Sequence, residues 1–293
     1  MSKLDAFHEI VRTNVPMSEL TWLRLGGPVE YFATPRSEAE LVGVLKAREE
    51  DEIEARAIGD GASVLASDVG APGLAIRLSE QAFCQIEIDE PYVVAGAGVK
   101  LGRLATATAS AGLGGLESMV GIPGTVGAGV VSNVTTFDAA LEQYVESARV
   151  ATYSGEIFDL KKDELVFGRR TSNLGNMIVL SVKFKLERDL PEELTKRLQK
   201  IWIVRQKSHP NLERGGFSRM FKDPRGQRVS ELIEEVGFPG ARIGGASVCE
   251  ADPNVVIADE GCSSEDVKRL VSLIETQVKE RAEIELEREL EIW

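Results

Sequence analysis

The stretch that decides the fold is residues 121–133, Gly-Ile-Pro-Gly-Thr-Val-Gly-Ala-Gly-Val-Val-Ser-Asn, where four glycines lead into an apolar run. Glycine adopts positive φ and has no Cβ, so these backbone amides can approach a ligand closely. Pro123 stiffens the turn, and successive N–H groups attract anions. The segment therefore predicts a phosphate-binding loop, with simple tight turns as the alternative. Its candidate cofactor contacts are Gly121, Ile122, Pro123, Gly124, Thr125, Val126, Gly127 and Asn133.

A second glycine loop lies upstream at residues 58–65, before the apolar residues 74–78. Two such loops in one half of the chain favour one long ligand. Neither loop has the spacing of the Gly-x-Gly-x-x-Gly dinucleotide fingerprint, and neither ends in the Lys-Ser or Lys-Thr of a Walker loop. Two β-turns in an α+β domain are the alternative interpretation. The candidate contacts here are Gly59, Asp60, Gly61, Ala62 and Ser63.

Length and composition indicate an ordinary globular protein. The 293 residues are enough for two domains, and 43% hydrophobic with 28% charged content is typical of folded chains. No run approaches the roughly 18 apolar residues that span a membrane, and the start has no apolar signal segment. We expect a cytoplasmic monomer.

Charge excludes some partners and favours others. A net charge of -13 argues against nucleic acid or an anionic membrane, because binding to either relies on Lys and Arg. Residues 196–228 nevertheless hold ten basic and two acidic side chains. Such a basic segment in an acidic protein can attract one small anionic ligand.

Cysteine and histidine are too few for several kinds of chemistry. The three cysteines form no Cys-x-x-Cys motif, and only His8 and His209 are present. The chain therefore has almost none of the residues that a histidine-based metal site or a hydrolase triad requires. The sequence predicts no metal and favours cofactor chemistry.

Helical and extended patterns alternate in the first half of the chain. Ser37 and Glu40 form a capping box at the start of a helix, and Gly112 has the position that ends another. Extended runs are predicted at residues 74–78, 92–97, 148–153 and 177–186. The mixture predicts the α+β fold class.

The second half predicts a smaller domain. Pro191 starts a helix that ends before Pro210, and the loop at 211–216 is the best boundary. A helix at 229–236, a strand at 254–258 and a helix whose apolar positions span 267–278 follow. The predicted domains are 1–206, with two α+β lobes that divide near residue 79, and 207–293.

The two loops and their flanks resemble the flavin-dependent UDP-N-acetylenolpyruvoylglucosamine reductases of peptidoglycan synthesis. The likeness covers nearly the whole chain. Its further landmarks are residues 23–28, 112–117, 167–172, 205–210, 221–224, 243–246 and 286–289. The resemblance implies a two-lobed FAD-binding domain of the vanillyl-alcohol oxidase type at 1–206 and a substrate-binding domain at 207–293. It also implies FAD as cofactor, NADPH as reductant and an enolpyruvyl UDP-sugar as substrate.

The family's catalytic residues map onto three positions. Its Arg corresponds to Arg170, where a guanidinium suits a planar carboxylate. Its Glu corresponds to Glu289, for which the alternative is one more acid at a charged helix end. Its proton-donating Ser corresponds to Arg219, while Ser218 lies one residue early and would point to the opposite face of an extended segment. The implied substrate contacts are Arg169, Arg219, Lys222 and Arg205.

The sequence departs from the family pattern at the site. Arg169 stands where the family has Tyr, and Arg288 stands where it has Pro, which would loosen a turn. Arg219 cannot supply a proton, because a guanidinium stays protonated in a protein. Three functions therefore remain open. The first is the reductase, with water or Ser218 as proton donor; the others are a paralogue that binds flavin or nucleotide sugar without reducing it, and a flavoenzyme acting on another substrate.

Overall fold

The computed structural model describes residues 2–136, 139–208 and 215–293. Most of its helices lie where the sequence predicts them. The described residues contain α1 (Glu38–Glu50), α2 (Leu101–Ser110), α3 (Val126–Val131), α4 (Pro191–Ser208), α5 (Val229–Glu235) and α6 (Ser264–Ala282). Ser37 caps α1 by accepting a hydrogen bond from the Glu40 amide, which is half of the predicted capping box; the Glu40 carboxylate accepts from the Arg36 amide. None of these helices is long and apolar enough to cross a membrane.

Short strands make up most of the remaining regular structure. In chain order they are β1 (Val11–Pro16), β2 (Pro28–Ala33), β3 (Ala55–Ala57), β4 (Val64–Leu65), β5 (Ala71–Ile76), β6 (Ile86–Asp89), β7 (Tyr92–Gly96), β8 (Leu113–Gly114), β9 (Val145–Thr152), β10 (Ile157–Lys161), β11 (Phe167–Gly168), β12 (Thr171–Ser172), β13 (Met177–Lys185), β14 (Glu187–Arg188), β15 (Phe217–Arg219), β16 (Arg242–Ile243), β17 (Ala246–Val248), β18 (Val255–Ala258) and β19 (Glu291–Ile292).

The chain forms two compact units. The first comprises Met1–Asn14, Glu30–Gly59 and Pro72–Ile203, and the second comprises Val15–Val29, Asp60–Ala71 and Val204–Trp293. The second unit thus includes two early segments that the division at 206/207 assigns to the first domain. That functional division stays a prediction, and its boundary loop at 211–216 lies largely outside the described residues.

The first unit is built on an antiparallel five-stranded sheet in the order β10-β9-β13-β7-β6. Val182 and Phe184 of β13 are buried, whereas Lys183 and Lys185 are more exposed, because side chains alternate between the faces of a strand. Helices α1 and α2 contribute Leu41 and Leu104 to the same core. This core supports the segment that begins at residue 121.

The second unit pairs an antiparallel sheet, β15-β18-β17-β16, with α5 and α6. Leu23, Leu25 and Leu65 from the early segments lie in its apolar core beside Leu270 and Leu290. The last strand, β19, runs parallel to β4, with Glu291 opposite Val64. Apolar burial and this strand pairing are why two N-terminal segments belong to the C-terminal unit.

Candidate cofactor and substrate site

Gly59, the residue of the upstream loop with which a segment of the first unit ends, lies against the central loop. A Cβ at Gly59 would lie 2.7 Å from Thr125 Oγ1 and 3.0 Å from Ala128 Cβ. No side chain fits at Gly59 without movement, so glycine there lets the upstream loop pack on the start of α3. The first unit therefore brings together Gly59 of one loop and Thr125 of the other.

The central loop keeps backbone donors available. The amides of Val126 and Gly127 donate to the carbonyls of Val99 and Ala97 at 2.8 and 2.9 Å. The amides of Gly124 and Thr125 have no backbone acceptor among the described residues, although both residues are buried. Gly124 has φ 139°, and a Cβ there would meet only Leu101 at 3.8 Å. Amide donors beside a surface without side chains fit the diphosphate of FAD.

Asn133, at the end of this loop, is 2% exposed and has φ 44°. Its side-chain amide donates to Glu142 Oε2 and to the Gly168 carbonyl, both at 2.9 Å. Its Oδ1 accepts from the Glu142 amide at 3.2 Å. Both side-chain donors are therefore engaged within the protein, whereas its contact with the cofactor stays a prediction.

Arg170 lies in a two-residue turn between β11 and β12, which pair Gly168 with Thr171. Its φ of 55° is left-handed, a conformation that costs a side-chain-bearing residue about 1–2 kcal/mol. The Arg170 side chain is half-buried, whereas Arg169 before it is exposed. The chain therefore holds Arg170, and not Arg169, in a strained conformation.

In the second unit, Ser218 and Arg219 are consecutive residues of β15 and point to opposite faces. The Ser218 hydroxyl donates to the Ala62 carbonyl at 2.6 Å, and the residue is 2% exposed. The Ala62 and Ser63 carbonyls are thus both taken, since Ser63 accepts from the Glu291 amide at 2.8 Å. The segment is extended, as the sequence-based argument about Ser218 requires.

Arg219 faces a group of carboxylates. Its guanidinium lies 3.5 Å from Asp252 Oδ2, 3.6 Å from Glu289 Oε2 and 4.0 Å from Asp223 Oδ2. The Glu289 amide donates to the Met220 carbonyl at 2.9 Å, which fixes Glu289 beside this strand. The structure thus brings the family's Glu position directly against the residue that replaces its Ser.

Two other predicted substrate contacts belong to the same unit. Lys222 forms an ion pair with Glu287. Burial and the positive charge of Arg219 lower the pKa of Arg205 to about 10, so Arg205 remains a cation at neutral pH. Two cations that repel one another favour binding of an anion near them.

Two sequence-based interpretations of the C-terminal tail are wrong. Helix α6 ends at Ala282, with Glu283 left-handed at φ 56°, so Glu289 is not an acid on a helix end. Arg288 does not loosen the tail: its Nη2 donates to Glu275 Oε2 at 2.6 Å, and its backbone pairs with Phe221. The Glu275 carboxylate raises the pKa of Arg288.

The thiols and acids suggest no other chemistry. Cys84, Cys249 and Cys262 form no disulfide among the described residues, and burial raises the pKa of Cys262 to about 11. In the part of the chain that the structure describes, no group of three or more His, Cys, Asp or Glu could hold a metal ion.

The mixed helix and sheet fold and the match to an FAD binding domain define the class of protein, an FAD-dependent oxidoreductase. The family model for the FAD binding domain matches residues 29–161, and the model for the C-terminal domain of UDP-N-acetylenolpyruvoylglucosamine reductase matches residues 210–293. The chain belongs to the UDP-N-acetylenolpyruvoylglucosamine reductase family. The predicted family, fold class and cofactor are thereby confirmed.

Relatives agree over nearly the full length. The chain is 38% identical to the UDP-N-acetylenolpyruvoylglucosamine reductase of Rhodopirellula baltica over 99% of this chain and 94% of the relative. It is 33% identical to that of Parasynechococcus marenigrum, over 92% and 91%. The crystal structure of the Thermus caldophilus reductase superposes with a TM-score of 0.80 at 30% identity, covering 97% of this chain and 99% of that one.

Proposed function

We propose that this protein uses NADPH to reduce UDP-N-acetylglucosamine enolpyruvate to UDP-N-acetylmuramate in peptidoglycan synthesis. The relatives named above are reductases of this UDP-sugar class. The glycine loops around Gly59 and Thr125 bind the FAD diphosphate through backbone amides. FAD held there would supply the redox chemistry, the transfer of hydride from NADPH to the enolpyruvyl double bond.

The observation that carries the proposal is the left-handed Arg170 in its two-residue turn. A strained backbone conformation persists only where the surrounding contacts impose it, and such conformations cluster at functional sites. A forked, always charged guanidinium matches the substrate carboxylate, whose oxygens gain charge when hydride adds to the terminal carbon of the double bond and leaves the carbanion on the carbon beside the carboxylate. Arg170 therefore stabilises the enolate that precedes protonation.

Glu289 and the proton source complete the chemistry. The Ser218 hydroxyl is already bonded to the Ala62 carbonyl, and Arg219 cannot give up a proton at neutral pH. We therefore propose water as the proton donor, held near Glu289. Arg219 orients the Glu289 carboxylate, since its Nε lies 3.6 Å from Glu289 Oε2.

The substrate's diphosphate needs cations as well. Arg205 and Lys222 are proposed for this role; burial is the main cause of the lowered pKa of Arg205, with the charge of Arg219 second, and a bound anion would stabilise the charged form of Arg205. Arg169, exposed beside Arg170, is proposed to contact the substrate or the nicotinamide.

A paralogue without reductase activity is the second candidate, and one observation favours it. Arg219 fills the position of the family's hydroxyl and is surrounded by Asp223, Asp252 and Glu289. Such an ion-pair cluster can be purely structural.

The test is substrate-dependent NADPH oxidation by flavin-replete protein, wild type against the double variant Arg169→Tyr/Arg219→Ser. The reductase proposal expects turnover in the wild type. No turnover in the wild type, with turnover gained in the double variant, would instead establish the paralogue. No turnover in either protein, with flavin bound, would contradict the reductase and leave the paralogue without support.

A further inference from the structure

We propose that Asn133 is a positioning residue for Arg170. Its side chain fastens the turn, which contains Arg170, to the segment at the end of α3. This inference rests on the proposed function, in which Arg170 contacts the substrate. Asn133 itself touches neither substrate nor reacting atoms in this role. It acts through the Gly168 carbonyl, two residues before Arg170.

The contacts leave little freedom for the turn. Asn133 Nδ2 donates to the Gly168 carbonyl at 2.9 Å on the β11 side. On the β12 side, the Ser172 hydroxyl donates to the Val131 carbonyl, in the last residue of α3, at 2.7 Å. Both strands of the turn are therefore tied to consecutive parts of one short segment.

Asparagine is the residue type that this position requires. It tolerates left-handed backbone better than most side chains, and φ here is 44°. Its amide supplies two donors and an acceptor, which match the Gly168 carbonyl, the Glu142 carboxylate and the Glu142 amide. Aspartate would keep the acceptor and lose both donors.

Helix α3 connects this fastening to the cofactor loops. It begins at Val126, one residue after Thr125, and ends at Val131. Six residues at 1.5 Å each make it about 9 Å long. The amides that fit the diphosphate thus lie just before α3 and Asn133 lies two residues after it, so Asn133 positions Arg170 relative to the cofactor loop through this one short helix.

Hydrogen exchange tests the fastening without any turnover. Asn133→Asp should speed exchange of amides in residues 167–172 by about tenfold or more, the equivalent of roughly 1.4 kcal/mol, while the sheet formed by β9 and β13 keeps its protection. Asn173→Ala is the matched control, because the Asn173 side chain bonds to Glu164 and Val166, outside the turn. Unchanged exchange in 167–172, or an equal increase in the control, would overturn the proposal.

A double-variant cycle tests the route through Arg170. Asn133→Asp should lower kcat by about 10–100-fold, because a small misplacement of a catalytic group slows the reaction strongly. In the Arg170→Lys background the same change should lower kcat by less than about threefold. Equal losses in both backgrounds would mean that Asn133 acts on something other than Arg170. A wild type without turnover would contradict the proposed function, and hydrogen exchange would then decide the fastening alone.

Discussion

At the scale of single residues, Arg170 has an unfavourable backbone conformation and a side chain that the family resemblance predicts to be catalytic. Sequence resemblance identified the residue, but neither its φ nor its turn could be predicted, because arginine rarely adopts left-handed backbone. Similarly, the substitution of Ser by Arg219 was visible in the sequence. Its carboxylate neighbours were not, since Asp252 and Glu289 are distant in the chain.

Replacement of Arg170 separates strain from function. Arg170→Gly should be more stable than Arg170→Ala by up to about 1 kcal/mol, because only glycine is free of strain at φ 55°. Both variants should lose turnover by about 10²–10³-fold if the guanidinium stabilises the enolate. Denaturant unfolding and steady-state kinetics measure the two effects. An alanine variant as stable as the glycine variant would argue against strain at this position.

Ser218→Ala addresses the proton donor. Loss of the buried bond to the Ala62 carbonyl should cost about 1–3 kcal/mol of unfolding free energy. If water donates the proton, kcat should change far less than the roughly 10²–10⁴-fold typical for removal of a general acid. A loss in that range, in a folded and flavin-bound variant, would assign the proton to Ser218 and contradict our proposal.

At the scale of elements, local signals predicted the helices and long strands well. Periodic apolar residues and caps marked α1, α2, α4 and α6, because each signal lies within one turn of the element that it defines. The pairing of β19 with β4 could not be predicted, since it joins segments at opposite ends of the chain. Each strand has only two residues, too few for a recognisable alternation.

The C-terminal tail should be a structural element of the second unit. Leu290 is 3% exposed in that unit's core, so Leu290→Ala should cost about 2–5 kcal/mol. Ile292→Ala is the control, because Ile292 is 41% exposed and a surface change usually stays within about 0.5 kcal/mol. Equal costs, measured by denaturant unfolding, would mean that the tail does not pack as described.

The contact between the glycine loops should determine FAD affinity. A Cβ at Gly59 would crowd Thr125 and Ala128, so Gly59→Ala should weaken FAD binding about tenfold or more. Gly175→Ala is the control, since a Cβ there would have nothing within 4 Å. Titration of apo-protein with FAD gives both dissociation constants. An unchanged FAD dissociation constant in Gly59→Ala would mean that this contact does not determine FAD affinity.

At the scale of the whole molecule, charge is where sequence alone misleads most. The basic residues 196–228 suggest an open cationic patch, yet Arg219 and Lys222 are matched by acids from residues 223, 252, 287 and 289. The order of the motifs, through the family that they resemble, predicted family and cofactor correctly. Whether the protein turns over its substrate depends instead on whether the reaction tolerates the substitutions around Arg219.

The most direct test of the central claim is NADPH oxidation by the purified, flavin-replete protein, followed with and without UDP-N-acetylglucosamine enolpyruvate. We predict that oxidation depends on the enolpyruvyl substrate and forms UDP-N-acetylmuramate in equal amount. Flavin-bound protein that forms no such product would contradict the account.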